Sequence, residues 1–118
     1  MANEITINLP SITYVKDVYN DTLAPGTINL SVTGKHAVHD NQALTTSNTA
    51  LGKGNIGTIG FFYLKNKDST INVLVSFGTT EYMTLPPGGI ALGVAGVATI
   101  NAKGASGTPS IEYWIIEA

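Results

Sequence analysis

The chain has 118 residues, 43% of them hydrophobic and only 12% charged, with a net charge of −2 and no cysteine. That is enough chain for one packed domain without a disulfide or thiolate–metal staple. All six basic residues are lysines scattered along the chain. Neither an arginine fork nor the basic stripe needed to displace counterions from nucleic acid is present.

The surface chemistry is carried by Thr, Asn, Ser and Gly. Such a surface is easier to desolvate than one covered in Lys and Glu, and charged residues are depleted at interface cores. The longest apolar stretch, Ile90 to Ala98, contains Gly93 and Gly96 and is too short to span a bilayer. The first residues carry no basic head followed by an apolar stretch, so the expectation is cytosolic synthesis without a secretion leader.

Ile5, Ile7 and Leu9 alternate with Glu4, Thr6 and Asn8, which predicts a half-buried strand stopped by Pro10. Ile12 to Tyr19 reads as a second extended run, with turns at Asn20-Asp21 and Ala24-Pro25-Gly26. Thr27 to Thr33 alternates again and Gly34 ends it. Residues 1–26 read as an arm or strand-exchange segment, because they are strand-like but separated from the rest by turns. Lys35 to Asp40 suggests a short strand, and the polar stretch Asn41 to Asn55 a long loop with a short edge strand.

From Gly57 to Leu92 the pattern predicts an antiparallel meander. Ile59 to Lys65 is apolar on both faces, as at a sheet centre. Asn66-Lys67-Asp68-Ser69 reads as a hairpin turn. Ile71, Val73, Val75 and Phe77 point one way. Tyr82 to Leu85 is a short strand, Pro86-Pro87-Gly88-Gly89 a turn, and Ile90 to Val97 a return strand. Ile100 to Lys103 is a weaker strand. Ser110 to Glu117 alternates Ile111, Tyr113 and Ile115 against Glu112, Trp114 and Ile116. Apolar residues on both faces of this last strand predict a central or covered position. No stretch carries a capped 3.6-residue stripe. The expected fold is all-β: a single antiparallel β-sandwich, jelly-roll-like, spanning residues 1–118.

Candidate chemistry is sparse. His36 and His39 point to opposite faces of a strand and chelate poorly, although a turn could join them to Asp40 or Asp17. There is no nucleophile elbow, and the acidic residues are scattered. Gly52-Lys53-Gly54 lacks the spacing and the Ser/Thr of a phosphate loop and reads as a turn. No catalytic residue, metal ligand or cofactor site is expected. Exposed aromatics that stack on a sugar are the other possibility, with Tyr113 and Trp114 as candidates.

The strand carrying Leu64-Lys65-Asn66, the run from Asn72 to Gly78, the short strand Tyr82 to Leu85 and its Pro87-Gly88 turn, and the closing strand Glu112 to Glu117 resemble small β-sandwich structural proteins of tailed-bacteriophage virions. The resemblance covers about half the chain. It implies a capsid-decoration, head-fibre or tail component that acts by self-association and docking, without a cofactor. The expected partners are further copies, a trimer among them, and other virion proteins. Nucleic acid and membrane are not expected partners. The expected location is the virion. Ile5 and Ile7 in the arm and Trp114 and Ile116 on the last strand are the expected interface residues. The alternative is a carbohydrate- or receptor-binding β-sandwich module.

Overall fold

The computed structural model describes residues 4–118, and among them it has twelve β-strands and no helix. The chain divides into two compact units, one ending at Thr33 and the other running from Gly34 to Ala118.

The first unit consists of two separate two-stranded antiparallel sheets. β1 (Ile5–Leu9) pairs with β4 (Gly26–Leu30), with Ile5 opposite Leu30 and Ile7 opposite Ile28. β2 (Ile12–Lys16) pairs with β3 (Tyr19–Leu23) as a hairpin. The expected extended run through Tyr19 is therefore broken two residues earlier. The turn falls at Asp17-Val18, and Asn20-Asp21 lies within β3. Asp17 supplies the positive φ (55°) that a tight hairpin turn needs, and Asp tolerates this better than a β-branched residue.

The second unit contains β5 (Ala37–Ala43), β6 (Thr49–Ala50), β7 (Ile59–Asn66), β8 (Val73–Ser76), β9 (Met83–Leu85), β10 (Ile90–Val97), β11 (Asn101–Gly104) and β12 (Ser110–Glu117). They form two four-stranded sheets, ordered β10-β7-β12-β5 and β6-β11-β8-β9, with every pairing antiparallel. Counted within the unit, the first sheet reads sixth-third-eighth-first and the second reads second-seventh-fourth-fifth. That is the double Greek key of a jelly roll.

Inward residues from both sheets share one core. Leu64, Ile111, Tyr113 and Ile115 come from the first sheet, and Val73, Val75, Leu85 and Ala102 from the second. β7 and β12 lie at the centre of their sheet, as their two-sided apolar pattern predicted. The stretch from Gly57 to Leu92 is not a meander. β7 and β8 belong to opposite sheets, only β8 and β9 form a hairpin, and β10 returns to β7. Residues Asn66 to Ser69 form a corner between sheets and not a hairpin turn. β5 also runs further than its expected end at Asp40, because its register with β12 continues to Ala43 opposite Ser110.

Local polar groups hold the corner. Asn66 is fully buried, its side-chain Nδ2 donates to the carbonyls of Ile71 (2.8 Å) and Leu85 (3.0 Å), and its Oδ1 accepts from the Asp68 N–H (2.9 Å). Asp68 in turn accepts from the N–H groups of Thr70 and Ile71, which lowers its carboxyl below the usual range. Opposite Gly60 the ladder slips a residue on both sides of β7, which turns Ile59 as well as Phe62 and Leu64 into the core. A Cβ at Gly60 would stand 2.6 Å from the Ala118 Cα, so only glycine allows the C-terminus to pass there.

Candidate interaction surface

The inward alternation of β12 fixes what the other side of its sheet shows. With Ile111, Tyr113 and Ile115 in the core, Glu112, Trp114 and Ile116 face outward. Cross-strand register then builds outward rows. One row runs Leu92, Tyr63, Trp114, His39, and the next runs Val94, Phe61, Ile116, Ala37. Beside the Trp114 row lies a more polar one: Ile90, Lys65, Glu112, Asn41.

Trp114 is 45% exposed, and Ile90 and Val94 are exposed more fully, while Leu92, Tyr63 and Ile116 are half-buried and Phe61 is buried. His39 stacks against the indole of Trp114 with ring centroids 5.6 Å apart, and its Nε2 lies 3.5 Å from Glu112 Oε2. The tryptophan is thus held between a tyrosine and a histidine on a largely apolar sheet face. A surface of this kind is commonly a contact site, since Trp and Tyr are typical interface anchors.

Tyr113, offered by the sequence as a sugar-stacking ring, is 2% exposed and belongs to the core. Its hydroxyl donates to the Gly52 carbonyl at 2.8 Å. Burial raises its pKa, and the Asp40 charge adds to the shift. Trp114 is the ring that the last strand presents. In the first unit, Ile5 is buried and Ile7 half-buried.

The two histidines do not share a site. His39 belongs to the Trp114 group. His36 Nδ1 lies 2.8 Å from Glu117 Oε1, the same carboxylate that accepts from the N–H groups of Lys35 (3.0 Å) and Gly57 (3.1 Å). These bonds, led by the Gly57 N–H, lower the Glu117 pKa from its usual value to about 2. The cluster fastens the end of β12 to the segments entering β5 and β7, which is a structural role. Among the described residues no group of three or more His, Asp or Glu is arranged to hold a metal ion. Nor is any helix long and apolar enough to cross a membrane. Lys53 lies in a turn, with its Nζ donating to the Ala98 carbonyl and its own carbonyl accepting from Ile56 at 3.0 Å.

The partners of Trp114 on this face escaped the sequence reading because their placement depends on register. Ile90, Leu92 and Val94 were visible as an apolar strand, but only pairing with β7 brings them beside Tyr63 and the tryptophan. No family model, curated protein or solved structure matches this chain.

Proposed function

We propose that the chain is a non-enzymatic structural subunit of a bacteriophage virion, a capsid-decoration or tail-associated protein that self-associates and docks on the particle. The observation that carries this reading is the apolar outer face of the β10-β7-β12-β5 sheet, centred on Trp114. The jelly-roll strand order supports it, since capsid proteins use that architecture repeatedly. The weakly charged composition supports it as well. Of the two arm residues expected at the interface, Ile5 is buried within the fold and is withdrawn from the contact set, while the half-buried Ile7 stays in it.

Mass spectrometry of purified virions and co-sedimentation of the purified protein with particles test the proposal. The wild-type chain is expected in the virion and in the pellet. Trp114→Ala combined with Val94→Asp is expected to abolish co-sedimentation while the thermal melt stays near wild type. Absence of the chain from virions would overturn the reading.

Trp114 also favours a second reading, glycan recognition. Its ring is exposed, with Glu112 and Asn41 in the adjacent row to meet hydroxyls. Binding on a glycan array that disappears with Trp114→Ala, in a protein that itself stays in the supernatant when particles are pelleted, would favour this alternative.

A further inference from the structure

We infer that the β2–β3 hairpin is an oligomerisation element, and that its occupant is the same hairpin in another copy of this chain. The inference rests on the self-association half of the function proposed above, and on a different surface from the Trp114 face.

The hairpin register sets Ile12 opposite Leu23 and Tyr14 opposite Asp21, so these four side chains share one face with Lys16. Thr13, Val15, Asn20 and Thr22 occupy the other, where the hydroxyls of Thr13 and Thr22 meet at 3.4 Å. Ile12, Tyr14, Val15, Val18 and Leu23 are 55% to 103% exposed. Every residue of β2 is exposed, and among the described residues no third strand joins the sheet.

A lone two-stranded hairpin is marginal in water. A unit ending at Thr33 lies below the roughly 40 residues that usually need help from a metal, a disulfide or oligomerisation. The chain has no cysteine, and no metal-binding group is found among the described residues. Oligomerisation is the source of support that the open apolar face of the hairpin can supply. A face meant for water would carry Thr and Lys at the positions of Ile12 and Leu23.

Three features specify a second copy as the partner. The first is charge. The face carries Lys16 and Asp21, one of each sign, so an isologous contact can set Lys16 of one copy against Asp21 of the other. A partner of single-signed charge would leave one of them opposed. The second is shape. Tyr14 stands between two shallow hollows, one of about 380 Å³ lined with Lys16, Asp17 and Val18, the other of about 350 Å³ lined with Ile12, Asp21 and Leu23. A ridge flanked by hollows on one surface is self-complementary. The third is area. The four large side chains on this face and at its tip, Ile12, Tyr14, Val18 and Leu23, present on the order of 500 Å² of mainly apolar surface. Together with the two open strand edges, that approaches the roughly 800 Å² each partner contributes to a standard interface.

The test is the mass of the full chain by sedimentation across a wide concentration range. The wild type is expected as an oligomer. Ile12→Asp with Leu23→Asp is expected to raise the dissociation constant about a hundredfold or more, while the urea transition reported by Trp114 stays in place. In a separate variant, Val18→Cys, the only thiol sits at the hairpin tip, and oxidation is expected to link copies covalently. A wild type that stays monomeric at every concentration overturns the inference. So does an oligomer that survives the double substitution but dissolves with Trp114→Ala, and that outcome would leave the Trp114 face standing. Loss of particle docking in an intact hairpin oligomer would overturn the function proposal and leave this inference in place.

Discussion

Asn66→Ala is expected to destabilise the jelly roll by about 4–6 kcal/mol, from three lost hydrogen bonds at about 1 kcal/mol each plus a penalty of about 1–3 kcal/mol for an enclosed carbonyl left without a partner. The side chain is fully buried, and it joins the end of β7 to the start of the β8 lead-in and to the end of β9. Its Oδ1 also shapes the turn by accepting from Asp68. The Leu85 carbonyl belongs to a residue that is itself buried, so water cannot easily replace the lost donor. The backbone bonds Asn66 N–H to Gly89 and Gly88 N–H to Asn66 survive the change, which keeps the loss local. Against a typical total of about 5–15 kcal/mol, this is a large fraction. Urea titration followed by Trp114 fluorescence measures it, since the only tryptophan lies on β12 of the same unit. Asn66→Asp is the informative companion. It keeps the acceptor for Asp68 but turns lone pairs toward two carbonyls, so its loss at neutral pH should equal or exceed that of Ala. A loss below about 1 kcal/mol for Asn66→Ala would refute the reasoning, because it would mean that the corner reorganises and pairs its carbonyls elsewhere.

Two further outcomes follow from the same unit. Glu117 titrates in the folded chain at about 2 instead of its usual 4.5, so the stabilisation from its three N–H partners is present above pH 4.5 and is lost as the pH falls through about 2. Glu117→Gln should flatten the acid limb of a stability–pH profile over that window, and an unchanged profile would mean the carboxylate is not held as described. Tyr113→Phe should cost about 1 kcal/mol through loss of the bond to Gly52, read from the urea midpoint with an unchanged m-value.

The strands with period-two alternation were legible because alternation reports burial directly. Ile5 to Leu9 and Ser110 to Glu117 fall where alternation placed them, Ile90 to Val97 falls where its apolar run placed it, and the alternating run from Thr27 to Thr33 ends at Leu30, three residues early. The β12 pattern even revealed a central position, since residues apolar on both faces have no place on a bare edge. The connections were not legible. Asn66 to Ser69 has the composition of a hairpin turn, but whether the next strand pairs beside β7 or crosses to the other sheet is decided by packing that local residues do not encode. The corner's key group is a side chain, Asn66, whose three bonds reach residues up to nineteen positions away. Turn placement at Asp17-Val18 was missed for a related reason. Asn20-Asp21 has the stronger turn propensity, and strand register overrode it.

The two surfaces proposed for contact should also prove separable. Among the described residues, the members of the core cluster, from Leu44 to Ile115, and the partly buried side chains packed against it lie in the second unit. Charges placed at Ile12 and Leu23 therefore remove no side chain from that core. Trp114 likewise points away from it, so truncation removes exposed surface and leaves Tyr113 and Ile115 in place. Free energies of substitutions without shared partners add. A variant altered at both surfaces should lose oligomerisation and docking together, with a urea midpoint no lower than the two single changes predict. A synergistic loss of stability would instead mean that the two substituted sites are energetically coupled.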